Sequence, residues 1–336
     1  MKRRELPTEY HAAAPLRLDF AGGWTDVPPF SQREGGMVVS GAIRLLAHAE
    51  LKLGGSLLRL VSEDLGQELE CANALGLQLD GRLDLLKAGL RMFPVTGPCA
   101  LTTRSDAPPG SGLGSSGALD VALVGCLAAA RRERFDPRET AHQAWYLETV
   151  EAGVPGGKQD QLAAALGGFH RFTFRDPDVG VEPLTLDPAF SAALERQTLL
   201  CYTGVSRVSG QTIARVMTSY EAGDPGVTAA LRGLKEAAAG MTDALRAADL
   251  ARVAVLLSEN WCYQQALDPG MRTPEMARLE EALAGAGVLG GKAAGAGAGG
   301  SMFFLVRDLP RAADAARAAG ARVLPVAWAS EGVRAW

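Results

Sequence analysis

The sequence predicts an α+β fold built from two closely packed domains. Its 336 residues exceed what a single hydrophobic core usually organises. The first 60 residues alternate apolar and polar side chains as strands do, and the second half mixes helical stretches with short strands. A connection rich in Asp and Pro, residues 176–188, divides the halves. We therefore expect domains over residues 1–185 and 186–336.

In the first half, Leu16, Leu18 and Phe20 alternate with polar residues, which predicts a strand that ends at the Gly22-Gly23 turn. Two apolar runs that follow predict a meander. Further along, the patterns predict helices, one opened by a proline in its first turn, and one more short strand. These segments are the apolar runs 37–43 and 45–53, the helices 82–93 and 137–152, the helix that starts after the loop 108–116, and the strand 100–105.

The second half opens with a predicted strand over residues 197–203. Helical periodicity follows, and the chain ends with two strands that flank a short helix. The predicted helices are 227–248, 249–266, 274–286 and 309–319, and the predicted strands are 301–306 and 321–326.

Composition narrows the class of protein. A net charge of −4 argues against a surface that binds a nucleic-acid backbone. The longest apolar stretch, residues 118–130, is short for a membrane span and contains Asp120. Five scattered Cys without a CxxC pair are typical of reduced thiols, and four dispersed His argue against a histidine metal centre. We expect a soluble cytoplasmic protein that handles a small molecule.

The most informative segment is a glycine loop that opens a long helix. It contains Pro109, Gly110, Ser111, Gly112, Leu113, Gly114, Ser115 and Ser116. Glycines allow backbone N–H groups to converge on an anion, and a helix N-terminus adds a favourable dipole. The two serines can cap the helix, bond a phosphate or ligate Mg²⁺. The loop lacks the lysine of a Walker A motif and the spacing of a Rossmann fingerprint. The alternative is an ordinary turn with a helix cap.

Two more segments flank glycine turns. Near the start, Arg17 and Asp26 enclose the Gly22-Gly23 turn. The guanidinium suits a phosphate or carboxylate, and the carboxylate suits sugar hydroxyls. Near the end, glycines recur from Lys292 to Gly300. Alone, the first segment is more simply a surface arginine with a turn-capping aspartate, and the second a tight turn.

Together the three segments resemble the three signatures of the GHMP kinases, the superfamily of galactokinase, homoserine kinase and mevalonate kinase. PPGSGLGSSGAL is similar to the loop that wraps ATP phosphates in that family. Three positions depart from the usual signatures: Gly117 stands in place of alanine, Ala298 in place of glycine, and Ser301 in place of phenylalanine. The resemblance implies an N-terminal ATP domain like domain 2 of ribosomal protein S5 and a C-terminal ferredoxin-like α/β sandwich.

The resemblance also implies roles for acidic residues. Asp160 matches the aspartate beside the acceptor hydroxyl, and Ser116 and Glu148 match the Mg²⁺ ligands. Glu151, three residues after Glu148, is a rival metal ligand on the same helix face. Asp160 is also placed where it could cap a helix that starts at residue 161. ATP is the expected co-substrate.

Strings within the family indicate the acceptor. GGKQDQ, TGVSR and SENW resemble D-glycero-D-manno-heptose 7-phosphate kinases, and AGGWTDVPPFS and LDPG resemble L-fucokinase. Both families imply phosphorylation of an anomeric hydroxyl. A distal phosphate would need a basic partner, for which Arg17, Lys158 and Arg207 are candidates. The expected substrate-binding residues are Arg17, Gly23, Trp24, Thr25, Asp26, Lys158, Gln159, Arg207 and Gly297.

Two other functions fit the same fold. A non-catalytic sensor would keep the glycine loops but lose the acidic residues, which are all present here. A diphosphate decarboxylase would need a mevalonate pocket, against which KQDQ argues. We expect ATP and a sugar or sugar phosphate as partners, without nucleic acid or membrane, and the sequence is compatible with a homodimer.

Overall fold

The computed structural model describes residues 8–72, 77–205 and 209–336. Two β-sheets organise this part of the chain, and helices cover them. The α+β prediction is confirmed. Within the described ranges, no helix is long and apolar enough to cross a membrane.

The first sheet has eight strands in the described residues. The order runs β12-β1-β2-β5-β3-β4, and β6 pairs with the other end of β2 and with β7. All pairs are antiparallel except β3 with β5. The strands are β1 (Glu9–Ala21), β2 (Gly36–Leu53), β3 (Leu58–Ser62), β4 (Gln67–Cys71), β5 (Cys99–Ser105), β6 (Phe169–Arg175), β7 (Asp178–Pro183) and β12 (Arg334–Ala335).

Strand β2 is one continuous strand where the sequence predicted two. Residues 36–41 pair with β6 and residues 47–53 pair with β5, so the strand joins two parts of the sheet. The predicted break fell at Arg44, a polar residue between apolar runs. Its side chain is exposed and donates to the carbonyl of Trp328 at 3.0 Å, so the strand passes through without burying the charge.

The helices of the first half are α1 (Phe30–Arg33), α2 (Asp84–Met92), α3 (Ser115–Arg131), α4 (Pro137–Tyr146) and α5 (Gln159–Leu166). Helices α3 and α5 pack on this sheet, and α2 and α4 pack on α3. A π-helical turn, Leu147–Glu151, follows α4 directly. Helix α3 packs on β1 and β2, which brings the glycine loop at its N-terminus to the end of β1 near Arg17.

The second sheet has four antiparallel strands in the order β11-β8-β10-β9. The strands are β8 (Thr198–Tyr202), β9 (Val288–Ala293), β10 (Ser301–Val306) and β11 (Arg322–Leu324). The helices of this half are α6 (Pro188–Gln197), α7 (Ser209–Glu221), α8 (Pro225–Arg246), α9 (Leu250–Gln265), α10 (Pro274–Leu283) and α11 (Leu309–Ala318). Helices α8, α9, α10 and α11 match their predicted spans to within three residues.

The predicted exposed connection at residues 176–188 is partly wrong. Residues 178–183 form β7, which extends the first sheet beyond β6. Val179 and Val181 alternate there with small and acidic residues, but the Asp and Pro around them hide the pattern. At the other end of the chain, β12 returns to pair with β1, so residues from the second half complete the first sheet.

The turn after β1 is embedded in the second half of the molecule. Trp24, Val27 and Phe30 belong to the hydrophobic core formed mainly by residues after 199. The ring of Phe30 lies edge-on against Tyr220 of α7, with centroids 5.4 Å apart. A segment of the first half is thus held by side chains of the second.

A buried ion pair also joins the sheets. Lys292 on β9 and Asp19 on β1 are both almost fully buried. The ammonium donates to the Asp19 carboxylate and to its backbone carbonyl, the latter at 2.7 Å. Burial lowers the pKa of Lys292, and the adjacent Asp19 charge opposes that shift. The pair therefore ties the third glycine segment to the strand that carries Arg17.

Breaking this pair should be costly. We expect Lys292→Met to lower the free energy of unfolding by about 3–5 kcal/mol, because Asp19 is left buried and unpaired. Adding Asp19→Asn should restore much of that loss. Arg59→Gln is the control, since Arg59 pairs with Glu68 in solvent and its loss should change the free energy of unfolding little. Urea denaturation measures all three, and equal losses for Lys292→Met and Arg59→Gln would contradict the expectation.

Candidate active site

A cavity of about 210 Å³ lies where the three glycine segments meet. Its walls come from β1 and the turn after it, the glycine loop before α3, the π-helical turn, residues 154–161, helix α7 and the loop between β9 and β10. Its lining includes Arg17, Trp24, Asp26, Gly110, Ser111, Gly112, Gly114, Ser115, Ser116, Glu148, Gln159, Asp160, Gln161, Ile213, Gly295 and Gly297.

The glycine loop holds its shape against the loop between β9 and β10. Gly112 has a φ of +75°, and a Cβ there would lie 2.7 Å from the carbonyl oxygen of Ala294. A Cβ at Gly295 would in turn lie 2.5 Å from the Gly112 carbonyl oxygen. Ser301 donates its backbone N–H to the Ser111 carbonyl at 2.8 Å. The absence of side chains lets the two loops touch backbone to backbone.

Most of the loop faces the cavity, but two of the predicted nucleotide-binding residues do not line it. Pro109 lies outside the lining, and Leu113 is fully buried in the core. The Leu113 carbonyl accepts the backbone N–H of Arg17 at 3.0 Å. Helix α3 starts at Ser115 with Gly114 as its N-cap residue, so no side chain caps it. The hydroxyls of Ser115 and Ser116 are therefore not used as helix caps.

Arg17 holds Asp160 at the wall of the cavity. Its Nε lies 2.8 Å and its Nη2 2.7 Å from the same Asp160 oxygen, and its Nη1 donates to the Gly112 carbonyl at 2.7 Å. Burial opposes the charge of Arg17, but the Asp160 and Asp19 carboxylates raise the pKa of Arg17 overall. One side chain thus connects the catalytic candidate to the glycine loop.

Asp160 lies in the first turn of α5, which begins at Gln159, so the alternative of a cap for a helix starting at residue 161 is wrong. Its position also explains Gly117. A Cβ at Gly117 would lie 2.7 Å from the Asp160 Cβ, closer than real Cβ contacts. Glycine in place of the family's alanine gives α5 room to approach α3.

Ser116 and Glu148 lie side by side in the lining of the cavity. Ser116 Oγ donates to Glu148 Oε1 at 2.7 Å, and Gln161 Nε2 donates to Oε2 at 2.6 Å. Burial, with the charge of Asp160 adding to it, raises the pKa of Glu148 to about 7. Glu148 lies in the π-helical turn, a distortion often found at functional sites. Its rival Glu151 does not line the cavity and pairs with Arg91 at 3.9 Å.

Two residues near Glu148 escaped the sequence interpretation. Gln161 orients Glu148, and Asp120 lies fully buried with no partner for either carboxylate oxygen. Burial and the nearby Glu148 raise the pKa of Asp120 well above its usual value. Asp120 is one helical turn after Ser116, which is the signal that could have linked it to the site.

Three of the predicted substrate-binding residues, Trp24, Asp26 and Gln159, lie together at the cavity. Asp26 is at their centre. Its carboxylate accepts the backbone N–H of Gln159 at 3.1 Å and the Gln159 side-chain amide at 3.2 Å. Burial and the neighbouring Asp160 charge raise the pKa of Asp26 to about 6. Trp24 lines the cavity with a φ of +82°, a strained value for a bulky residue, and its Nε1 is buried without a partner.

Three other predicted substrate residues do not line the cavity. A Cβ at Gly23 would lie 2.1 Å from Asp19 Oδ2, so the glycine admits that carboxylate. The Thr25 hydroxyl lies 2.7 Å from the Gly22 carbonyl and closes the turn. Lys158 pairs with Asp176 at 3.1 Å and lies over the Trp145 ring, away from the cavity. Arg207 lies outside the described residues.

A glycine-walled cavity at a helix N-terminus, with a positioned carboxylate and a hydroxyl–carboxylate pair, is the arrangement that phosphoryl transfer requires. It defines a phosphotransferase site. The family models agree: residues 81–168 match the N-terminal domain of the GHMP kinases and residues 241–325 match their C-terminal domain.

The whole chain has relatives of the same kind. It is 30% identical to a D-glycero-α-D-manno-heptose 7-phosphate kinase of Campylobacter jejuni, covering 96% of this chain and 97% of that one. It is 28% identical to a bifunctional fucokinase/GDP-fucose pyrophosphorylase of Arabidopsis thaliana over 91% of this chain, which spans 30% of that longer protein.

A crystal structure of a D-glycero-D-manno-heptose 1-phosphate kinase from Bacteroides thetaiotaomicron superposes with a TM-score of 0.78 at 27% identity, covering 97% of this chain and 98% of that one. The chain belongs to the GHMP kinase family and is an ATP-dependent phosphotransferase of its sugar-kinase type.

Asp160→Asn should keep nucleotide binding and lose about 100- to 10,000-fold in kcat, because an amide cannot take the proton of an acceptor hydroxyl. Asp176→Asn is the matched control, since Asp176 pairs with Lys158 outside the cavity. Steady-state kinetics and nucleotide titration measure both effects. Turnover of Asp160→Asn near the wild-type rate would refute the catalytic assignment.

Glu148→Gln should raise the Mg²⁺ concentration needed for half-maximal activity, because a neutral amide is a weaker ligand than a carboxylate. Glu151→Gln, which alters a half-buried residue off the cavity, should leave that concentration unchanged. Titrating Mg²⁺ at saturating ATP separates the two. A defect in Glu151→Gln alone would move the metal ligand by one turn.

Proposed function

We propose that this enzyme phosphorylates the anomeric hydroxyl of D-glycero-D-manno-heptose 7-phosphate with ATP, giving the 1,7-bisphosphate. The observation that carries the chemistry is Asp160, held by Arg17 at the cavity wall within reach of the glycine loop. The acceptor is proposed from the relative that matches almost the full length of the chain. The activity is proposed to take place in the cytoplasm.

In the proposed reaction, the acceptor hydroxyl approaches Asp160. The Asp160 carboxylate accepts its proton as the new O–P bond forms, and the bond between the γ-phosphorus and the bridging oxygen of ADP breaks. Arg17 fixes the carboxylate through two contacts to one oxygen, which leaves the second oxygen for the substrate. The glycine loop presents backbone N–H groups and the start of α3 to the phosphates.

Ser116 and Glu148 fit a Mg²⁺ site. Both are hard oxygen donors at the cavity, and desolvation without a cation partner raises the pKa of Glu148. Mg²⁺ usually takes one or two protein oxygens and fills its shell with phosphate and water. When bound, it would neutralise charge on the phosphate oxygens. Gln161 would hold Glu148 in place through its second oxygen.

Asp26 and Gln159 are proposed to bind sugar hydroxyls. They form a buried acceptor and donor at the sugar side of the cavity. Trp24 adds an apolar surface there, suited to the face of a sugar ring.

The distal phosphate needs a basic partner. Three Arg17 nitrogens contact Asp160 and Gly112, and the Lys158 ammonium contacts Asp176 off the cavity. Of the three basic candidates, Arg207 is therefore the one we propose for the distal phosphate.

The second candidate acceptor is an unphosphorylated sugar such as L-fucose. It is favoured by the fucokinase relative from Arabidopsis thaliana, which aligns with 91% of this chain. The two acceptors differ by one phosphate dianion, so charge separates them. The heptose kinase relatives also differ in whether their names place the existing phosphate at position 7 or position 1.

We expect heptose 7-phosphate to exceed the free heptose in kcat/KM by at least about tenfold, because one charge-assisted hydrogen bond contributes roughly 1.5–3 kcal/mol. The preference should shrink as salt rises. Arg207→Gln should erase it with the ATP KM nearly unchanged. The measurement compares heptose 7-phosphate, heptose 1-phosphate, free heptose and L-fucose by ADP release.

Arg215→Gln is the control, because Arg215 is an exposed arginine that pairs with Asp268 and does not line the cavity. Equal turnover of free and phosphorylated heptose would overturn the heptose-phosphate proposal in favour of a free-sugar kinase. Binding of ATP and sugar without ADP release would instead support a sensor.

A further inference from the structure

Helix α9 presents two buried polar side chains toward the active site. Asn260 and Gln264 are each 1% exposed and lie four residues apart, so they share one face of the helix. Neither side chain lines the cavity. Burying a side-chain amide is unfavourable unless the amide is hydrogen-bonded. The hydrogen-bond partners of Asn260 and Gln264 therefore indicate what the two side chains do.

Asn260 holds the start of the turn after β1, which carries the residues proposed to bind the sugar. Its Oδ1 accepts the backbone N–H of Gly22 at 2.9 Å. The carbonyl of the same glycine accepts the Thr25 backbone N–H at 3.1 Å and lies 2.7 Å from the Thr25 hydroxyl. Both polar groups of Gly22 are thereby fixed, one by α9 and one by the turn itself. Trp24 and Asp26 project into the cavity from this turn.

Gln264 holds the loop between β9 and β10. Its Nε2 donates to the Gly295 carbonyl at 2.9 Å. Gly297 lies against the same amide, since a Cβ there would be 3.0 Å from Nε2. Ala298 donates its backbone N–H to the Met271 carbonyl at 2.8 Å. Gly295 and Gly297 line the cavity, and Gly295 touches Gly112 of the glycine loop.

We propose that Asn260 and Gln264 are positioning residues. They set the distance between the turn after β1, which carries Trp24 and Asp26, and the loop between β9 and β10. A single rigid helix turn separates the two residues, about 6 Å along the axis. The turn and the loop come from opposite ends of the chain, and each is anchored to this one helix face. The assignment of the sugar to the turn, and of ATP to the side of the loop between β9 and β10, rests on the proposed function.

The two anchors should have separable kinetic effects. Asn260→Leu leaves the Gly22 N–H without its buried acceptor and releases the turn that carries Asp26. Gln264→Met leaves the Gly295 carbonyl without its donor and releases the loop against Gly112. An unsatisfied buried backbone group is costly, so each site should relax toward another geometry.

The experiment measures kcat and both KM values for Asn260→Leu and Gln264→Met, corrected for folded fraction. We expect Asn260→Leu to raise the sugar KM about tenfold with the ATP KM unchanged, on the energy of one lost buried hydrogen bond. Gln264→Met should lower kcat about tenfold and weaken binding of a non-hydrolysable ATP analogue. Asn260→Asp, which keeps an acceptor oxygen, should recover most of the sugar KM.

Gln265→Met is the matched control on the same helix. Gln265 donates to the Trp261 carbonyl within α9 at 3.3 Å and contacts neither anchored segment. It should match the wild type in all three kinetic values.

Thermal unfolding separates positioning from stability. If Asn260→Leu and Gln264→Met lower the melting temperature while kcat and both KM values per folded molecule stay at wild-type levels, the anchors are only structural and the proposal is overturned. Identical changes in sugar and ATP KM for both variants would overturn it equally. If the wild type phosphorylates no sugar, the proposed function fails, and the ATP-analogue affinity of Gln264→Met still decides the role of Gln264.

Discussion

The site depends on the contacts that the Arg17 guanidinium makes with Asp160 and with the glycine loop. The guanidinium is buried, and it meets Asp160 through two nitrogens and the Gly112 carbonyl through a third. The backbone N–H of Arg17 also bonds the Leu113 carbonyl, so strand β1, the glycine loop and helix α5 meet at one residue. A planar fork of fixed donors can make these contacts at once, which a lysine cannot. The position of Asp160 follows from this geometry.

Local signals in the sequence were enough for some elements and not for others. Helices α8 and α10 begin at Asp and Thr caps followed by proline, and both match their predicted spans to within three residues. The glycine loop was recognisable because all of its residues are consecutive in the sequence. Strand β7 and the contacts of Asn260 and Gln264 were missed, because they depend on partners distant in sequence. Gly117 could be noted as a departure, but only its closeness to Asp160 explains it.

The electrostatics of the cavity favour ligand binding over stability. Asp26 and Glu148 have pKa values raised to about 6 and about 7, and burial is the main cause for both. Ionising each carboxylate thus costs folding energy despite the hydrogen bonds that it accepts. Under the proposed function, substrate hydroxyls and a cation would add to the hydrogen bonds that these carboxylates already accept. Such a site is less stable empty than filled, which is expected where charges are arranged for chemistry.

The turn carrying Trp24, Val27 and Phe30 lies within the core of the other half of the molecule. The two halves therefore share hydrophobic interior and do not merely touch. During synthesis, these three apolar side chains leave the ribosome long before Tyr220 and the helices that bury them. The nascent N-terminal half must expose them until most of the chain has been made, so its folding is completed late and cooperatively.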